Sequence, residues 1–317
     1  MTLADVALHP VRIPMRMRFR RVTWREAILI EGSAGWGEFS PFPEYPATTT
    51  VRWLAAALEG AVREWPAAIR GSIPVNVTVP AVQPDDAARI VTESGCTTAK
   101  VKVAEPGDDE ALDTERVAAV RGALGPEGRL RIDVNARWTV DEAVARLGRL
   151  AAYDLEYVEQ PVATIEEMIE LRRRVDVPIA ADEAVRQADD PMEVVRRGAA
   201  DLLALKVQPL GGVRRTLELA ERSGLPVVIS SALETSVGLA AGLAAAAALP
   251  ELPFACGLAT GSLLEGDVTT DPLRPVAGEI EVRRPVPDPA LLDAWRAEPE
   301  TERRLLRRLR EAAELLT

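Results

Sequence analysis

Lysine and histidine are nearly absent from this sequence of 317 residues. Only three of its 38 basic residues are lysine, namely Lys100, Lys102 and Lys206, and all the others are arginine. The single histidine, His9, cannot build a metal site with several histidine ligands, and we interpret it as incidental. Because lysine can lose its proton while arginine stays charged, a lysine that remains here is a candidate for chemistry that needs a titratable amine.

Cysteine and long apolar segments are also scarce. The two cysteines, Cys96 and Cys256, are far apart and indicate neither a disulfide framework nor a metal-binding pair, which is typical of a cytoplasmic protein. Charged residues interrupt the first segment early, so it does not have the pattern of a signal peptide. The longest apolar run, 237–250, is too short to cross a bilayer, and we expect a buried alanine-rich helix there.

Positive charge is in deficit, since 49 acidic residues outnumber the basic ones and the net charge is −11. This balance argues against a nucleic acid or an anionic membrane as partner. A local basic segment at 15–21 suits an anionic small-molecule substrate better than a nucleic acid, and an ordinary solvated loop is an equal alternative. The sequence leaves the choice between a monomer and a homo-oligomer open.

The two ends of the chain are predicted to form one α+β unit. Residues 279–317 contain a short strand pattern and two helix patterns, and we expect them to return and pack on residues 1–72. The patterns within 1–72 are strands at 2–12, 25–31 and 35–39 and a helix at 48–65, joined by irregular loops.

The middle of the chain, residues 73–278, has a regular pattern. Strand-like runs alternate with helical patterns in most of the gaps between them, which is the signature of a parallel (β/α)₈-type barrel. The runs are 75–79, 99–103, 130–134, 155–159, 178–182, 202–207, 226–230 and 254–258.

The three lysines lie in two of these strands. Lys100 and Lys102 are two residues apart, so both side chains point to the same face. Two neighbouring ammonium groups repel each other, which lowers the pKa of at least one and makes a plausible general base. Lys206 lies near the end of the sixth run.

Three consecutive strands between the lysine strands end in an acid: Asp133, Glu159 and Asp182. Each alone would be unremarkable as a helix cap or loop residue. The carboxyl ends of parallel strands meet at one mouth of a barrel, where three carboxylates need a cation. Mg²⁺ prefers oxygen ligands, so we predict one divalent ion there, with Mn²⁺ as a substitute and with Asn135 and Glu183 supporting the ligands.

Lysines on both sides of such an ion indicate one chemistry. A substrate carboxylate that binds Mg²⁺ has a more acidic neighbouring C–H bond. A lysine removes that proton, and the ion stabilises the resulting enediolate.

With these residues the sequence resembles the muconate-lactonizing subgroup of the enolase superfamily over nearly its whole length. The resemblance implies a (β/α)₇β TIM-like barrel with an α+β capping domain. The motifs that carry it are Lys100-x-Lys102, Asp133-x-Asn135, Glu159-Gln160-Pro161, Ala181-Asp182-Glu183 and Lys206 followed by Gly211-Gly212.

Within the subgroup the sequence is most similar to the o-succinylbenzoate synthases of menaquinone biosynthesis. The supporting features are its short length, Arg131 two residues before Asp133, and the run 230–235. The resemblance implies a hydro-lyase that dehydrates 2-succinyl-6-hydroxy-2,4-cyclohexadiene-1-carboxylate to o-succinylbenzoate.

The resemblance also implies roles for individual residues. Lys102 would take the proton and return it to the departing hydroxyl on the same face, Lys206 would face the ring as a cation, and Lys100 would orient Lys102 and lower its pKa. The segments 15–23 and 39–50 would close over the site. Substrate contacts would come from Arg131, Ser230, Gly257 and Ser262.

Several alternatives stay open. An N-succinylamino acid racemase, or another 1,1-proton-transfer enzyme of the subgroup, needs lysines on both faces, and Lys102 and Lys206 supply them. A muconate cycloisomerase fits the same motifs, whereas a dipeptide epimerase lacks its paired aspartates after the eighth strand. Outside the superfamily, a Schiff-base aldolase barrel would use one lysine and no metal, and a non-catalytic metal-binding barrel is a third class.

Overall fold

The N-terminal part of the computed structural model is a three-stranded antiparallel sheet packed against one helix. The structure describes residues 6–19, 22–107 and 109–316, so the predicted strand residues 2–5 and the loop residues Arg20 and Arg21 lie outside the described part. The sheet has the order β1 (Ala7–Phe19), β2 (Val22–Gly32) and β3 (Gly35–Phe39), and the helix is α1 (Ala47–Val62).

The basic segment predicted as a loop is instead the end of a long hairpin. β1 continues to Phe19, which pairs with Val22 of β2. The loop prediction was therefore wrong for the described residues of 15–23. Its physical reason is the alternation of apolar and basic residues, which gives a strand one buried face, and Met15 and Phe19 are buried on that face.

The sheet and α1 approach each other closely. A Cβ atom on Gly37 would lie 1.8 Å from the carbonyl oxygen of Ala57 in α1, so only glycine fits there. Trp53 and Leu54 of α1 pack into a core with Ile28 and its neighbours on β2. The two C-terminal helices, Pro289–Ala294 and Pro299–Glu314, belong to the same core.

The middle of the chain forms a curled, seven-stranded parallel sheet with the order β11-β10-β9-β8-β7-β6-β5. After β4 (Ser72–Pro74), its strands are β5 (Val77–Val79), β6 (Thr98–Lys102), β7 (Arg129–Asp133), β8 (Leu155–Glu159), β9 (Ile179–Ala181), β10 (Leu202–Lys206) and β11 (Val227–Ser230).

Helices alternate with these strands and cover the outside of the sheet. They are α2 (Pro84–Ser94), α3 (Glu110–Leu124), α4 (Val140–Leu150), α5 (Ile165–Arg172), α6 (Glu183–Arg186), α7 (Glu193–Arg196), α8 (Val207–Leu210), α9 (Val213–Ser223) and α10 (Ser236–Ala248). The chain continues through β12 (Glu279–Glu281), α11 (Pro289–Ala294) and α12 (Pro299–Glu314).

The barrel closes through two short contacts. The predicted strand 254–258 is reduced to two parallel bridges, Val75 with Cys256 and Ser230 with Gly257. The predicted barrel with an α+β cap is confirmed as the fold class, whereas the boundaries at 72/73 and 278/279 stay predictions. β12 pairs antiparallel with β4, which links the segment after the barrel to the segment before it.

Apolar side chains fill the barrel on both sides of its wall. Outside lies the large core between strands and helices, and inside lies a small cluster of Tyr157, Ala180, Leu202, Ala204 and Val228. The predicted alanine-rich helix is α10, and it is buried. Within 6–19, 22–107 and 109–316, no helix has the length and apolar character needed to span a membrane.

The packing of α12 gives a test of the fold. Leu309 is fully buried against α1 and the β1–β2 hairpin, so Leu309→Ala should lower the free energy of unfolding by about 3 kcal/mol through lost contacts and a cavity. The exposed neighbour substitution Arg310→Ala should change it by less than about 0.5 kcal/mol. Chemical denaturation measures both, and equal effects would contradict the described packing.

Candidate active site

Parallel strand register brings two lysines and two acids together at the barrel mouth. Lys102 is the register partner of Asp133, and Asp133 is the partner of Glu159. The Lys102 Nζ atom donates to Asp133 Oδ2 and to Asn135 Oδ1, each at 2.5 Å. Lys100 Nζ donates to Glu159 Oε2 at 2.7 Å and lies 3.5 Å from Asp133 Oδ2. All four charged side chains are buried, so each charge is balanced by its neighbours.

The third acid, Asp182, directly follows β9 and is held by two cations. Lys206 donates to its Oδ2, and Arg186 Nε donates to its Oδ1 at 3.0 Å. The sequence did not predict a role for Arg186, because one arginine among 35 does not stand out as a functional residue. Its position four residues after Asp182, on α6, is what directs it to this acid.

The close packing of buried lysines and acids shifts the pKa values of these side chains. Burial opposes the charge of Asp133, but Lys102 and Lys100 outweigh it and hold its pKa well below the usual range. Burial and the neighbouring Asp133 raise the pKa of Glu159. Burial disfavours the charge of Lys100, yet Glu159 and Asp133 raise its pKa above the ordinary value, so Lys100 is not the lysine with a lowered pKa. At Lys100 the two acids therefore outweigh the cost of burying the charge.

Hydrogen bonds fix the orientation of the acids. The Asn135 backbone N–H donates to Asp133 Oδ1 at 3.1 Å, and its side chain donates to Glu183 Oε1 at 3.1 Å. Gln160, whose role was not predicted, accepts from the backbone N–H groups of Asp182 and Ala184, both at 3.1 Å. These bonds link the ends of β7, β8 and β9 into one rigid edge.

Backbone strain clusters at the same edge. Among the described residues, five non-glycine residues with positive φ follow closely on barrel strands: Ala104 (59°), Asn135 (51°), Ala136 (62°), Gln160 (41°) and Leu233 (66°). Such conformations are unfavourable for residues with a Cβ and persist where the surroundings enforce them, often at functional sites.

The lysines line a small, partly open cavity of about 30 Å³. Phe19 and Phe42 cover it from the N-terminal unit, and the Phe19 ring centroid lies 5.5 Å from Lys102 Nζ. A larger cleft of about 870 Å³ lies at the amino-terminal end of β11. The three lysines are not on its wall, and it contains none of the strand-end acids.

The four predicted substrate contacts lie in different places. Ser230 and Gly257 are on the cavity wall, and they approach so closely that a Cβ on Gly257 would lie 2.6 Å from Ser230 Oγ. Ser262 is exposed and its hydroxyl donates to the Ala259 carbonyl, whereas Thr260 lines the cavity.

Arg131 lies one layer below the acids, inside the barrel. Its guanidinium donates to Glu156 Oε2 at 2.5 Å, to Asn76 Oδ1 at 3.1 Å and to the Ala255 carbonyl at 2.7 Å. It also lies over the Tyr157 ring, at 4.7 Å from the centroid. These contacts give Arg131 a structural environment, and a direct substrate contact stays a prediction.

The three acids are suitable donors for a hard divalent ion. Across the described ranges, no three His, Cys, Asp or Glu side chains already have the arrangement of a metal site, because lysines take the inner oxygens. Glu159 Oε1, however, is buried without a hydrogen-bond partner, as expected for an oxygen that has a cation as its partner. The donor chemistry therefore fits Mg²⁺.

Comparison with known proteins gives a consistent picture. Residues 84–289 match the model described as enolase C-terminal domain-like, and residues 11–61 match the enolase N-terminal domain-like model. The chain is 64% identical over 272 residues to an o-succinylbenzoate synthase of Thermobifida fusca, covering 86% of each chain. It is 52% identical over 319 residues to an o-succinylbenzoate synthase of Mycobacterium marinum, covering 99% of this chain and 96% of the relative.

A solved structure shares the fold at low identity. The dipeptide epimerase of Enterococcus faecalis, complexed with Mg and the dipeptide L-Leu-L-Tyr, superposes with a TM-score of 0.73 at 23% identity, covering 89% of this chain and 98% of the other. The matched models extend over most of the chain, and the relatives align over nearly its full length. The chain therefore belongs to the enolase superfamily and, within it, to the o-succinylbenzoate synthase family.

Proposed function

We propose that this chain dehydrates 2-succinyl-6-hydroxy-2,4-cyclohexadiene-1-carboxylate to o-succinylbenzoate by syn elimination. The observation that carries the proposal is the placement of Lys102 on β6 and Lys206 on β10, four strands apart and so on opposite walls of one cavity. Buried acids from the three strands between them complete the mouth. The high identity to relatives of that name supports this choice of reaction.

The proposed ligands of Mg²⁺ are Asp133, Glu159 and Asp182, with Mn²⁺ as a substitute. The buried Glu159 oxygen without a partner supports this assignment, as does the Mg in the epimerase of the same fold. When bound, the ion supplies positive charge that stabilises negative charge developing on the substrate carboxylate. Asn135 and Glu183 hold the ligands in place.

Lys102 is the proposed base. It removes the proton from the ring carbon next to the carboxylate, and the same ammonium then protonates the hydroxyl that leaves from the same face. One C–H and one C–O bond break, one water molecule leaves, and the ring becomes aromatic, so no oxidant or reductant is needed. Phe19 lies over Lys102 and keeps bulk water from the amine.

Lys206 and Lys100 have electrostatic roles in this proposal. Lys206 approaches the ring from the opposite wall as a cation, and Lys100 holds Glu159 and Asp133. The succinyl carboxylate is proposed to bind to the backbone near Ser230 and Gly257, beside the hydroxyl pair Ser231–Thr260.

A second activity is favoured by the same pair of lysines. Racemisation of an N-succinylamino acid needs one base on each face of the substrate carbon, and Lys102 and Lys206 both line the cavity. Polarimetry with N-succinylated amino acids tests it.

Lys102→Arg should lower turnover at least about a thousandfold, because arginine keeps the charge beside Asp133 but cannot act as a base at neutral pH. The measurement is loss of the diene absorbance with Mg²⁺, with circular dichroism as the check that the fold is kept. Turnover near that of the unmodified chain would remove Lys102 from the role of base.

Lys206→Arg separates the two activities. A cation is retained, so dehydration should fall by only about tenfold, while racemisation, which needs a second base, should disappear. Lys206→Ala is the matched variant without charge and should lose both. If racemisation survives in Lys206→Arg, the two-base model is wrong.

Removal of metal should abolish dehydration reversibly. Treatment with EDTA should remove activity, and Mg²⁺ should restore it, with Mn²⁺ as a partial substitute. Calorimetric titration of Mg²⁺ into the Glu159→Gln variant should show weaker binding than into the unmodified chain. Turnover that resists chelation would exclude the three acids as a catalytic metal site.

A further inference from the structure

A buried carboxylate outside the lysine–acid cluster connects the N-terminal unit to the barrel. Glu38, on β3, is only 2% exposed. Its Oε2 accepts from the Thr235 backbone at 3.0 Å, the Thr235 hydroxyl at 2.6 Å and the Gly238 backbone at 3.1 Å. Its Oε1 accepts from the Ser40 hydroxyl at 2.7 Å. A side chain of one unit thus caps the first turn of helix α10 of the other.

Glu38 and the first turn of α10 are so close that a side chain larger than glycine does not fit at position 238. A Cβ on Gly238 would lie 2.9 Å from Glu38 Oε2 and 2.5 Å from the Cβ of Glu234. Only glycine lets the helix come this near to the carboxylate. Burial and then the nearby Glu234 raise the pKa of Glu38 to about 7, against the hydrogen bonds from Thr235 and Ser40 and the charge of Arg25.

Arg25, on β2, holds the adjacent loop from the same side. Its guanidinium donates to the carbonyls of Leu233 at 2.8 Å and Ala232 at 3.0 Å, and also to the Ser40 carbonyl. Leu233 has the left-handed φ of 66°, a conformation that needs external support. The loop from Ser231 to Thr235 is therefore fixed at both carbonyl and amide groups by the N-terminal unit.

This loop is a wall of the active-site cavity. Ser231, Ala232 and Leu233 all line it, next to Ser230. Glu38 and Arg25 do not line the cavity and act on its wall from behind. Ser40 extends the contact to Gln208, two residues after Lys206. The Gln208 side-chain amide donates to the Ser40 hydroxyl at 3.1 Å, and the Ser40 backbone N–H donates to Gln208 Oε1 at 3.3 Å.

We propose that Glu38 is a positioning residue that sets the shape of the 231–235 wall, and through it the affinity for the succinyl end of the substrate. This inference rests on the proposed function, which places the succinyl carboxylate at that wall. The residue touches neither substrate nor reacting atoms, so its loss should affect binding more than the chemical step.

Steady-state kinetics of the Mg²⁺-loaded full chain test the proposal. Glu38→Ala should raise KM about tenfold and leave kcat within about threefold, because ground-state and transition-state binding at the remote end are lost equally. Glu38→Gln keeps an oxygen for Thr235 and Gly238 and an amide for the Ser40 hydroxyl. It should therefore restore KM to within about threefold of the unmodified chain.

Asp267→Ala is the matched control. Asp267 caps the same helix, accepting from the Ser236 backbone at 3.2 Å and its hydroxyl at 2.7 Å, but these bonds do not reach the 231–235 wall. The variant should lose thermal stability as Glu38→Ala does while KM stays unchanged. An equal rise in KM in both variants, or a fall in kcat alone in Glu38→Ala, would overturn the positioning role.

Amide hydrogen exchange keeps the inference testable apart from the reaction. Glu38→Ala should exchange faster in 231–235, and Asp267→Ala should not. If the unmodified chain fails to consume the diene, the proposed function fails, and the exchange result still decides whether Glu38 holds the wall. Unchanged exchange in Glu38→Ala would refute that role.

Discussion

The structure depends on one constraint: several acids are buried close together, and their mutual repulsion must be balanced by neighbouring cations. Parallel strands deliver side chains to one edge, and here consecutive strands deliver lysine, acid, acid, acid and lysine. Each acid is paired with a cation from another strand or helix: Lys102 pairs with Asp133, Lys100 reaches past β7 to Glu159, and Lys206 and Arg186 pair with Asp182. Removal of one partner from such a buried pair lowers the free energy of unfolding by about 3–5 kcal/mol, because the remaining charge is buried without a counter-ion or water. The arrangement is therefore held as a unit.

Apolar packing in the rest of the barrel offsets the cost of burying charges at the mouth. A large apolar core surrounds the strands, and a second apolar cluster fills the interior below the charges. Strained residues such as Asn135 and Gln160 occur at the mouth, where the Asn135 backbone N–H donates to Asp133 and the Gln160 side chain accepts from the Asp182 backbone N–H. Stability and function are thus separated along the barrel axis, with packing below and charge above.

The sequence predicted the parts of this arrangement that follow from periodicity and from rarity. Scarce lysines and strand-end acids identified the cluster, since strand period and barrel topology place such residues together. Arg186 could not be found this way, because it is one arginine in an arginine-rich chain and its role depends on the start of a four-residue helix. The hairpin at Met15 was mistaken for a loop because its charges hid an alternating pattern. Arg131 was recognised as unusual, but its depth inside the barrel depends on register, which one sequence does not give.

The return of α12 to the N-terminal unit has a consequence for synthesis of the chain. Arg308 on α12 donates to the carbonyls of Phe42 and Tyr45, across 266 and 263 residues of sequence. The segment that carries Phe42 over the cavity is thus anchored by a helix that leaves the ribosome long after it. The barrel, with its charged mouth, is made before its cover can be secured. The anchoring of this cover by α12 is therefore a late, long-range event in folding.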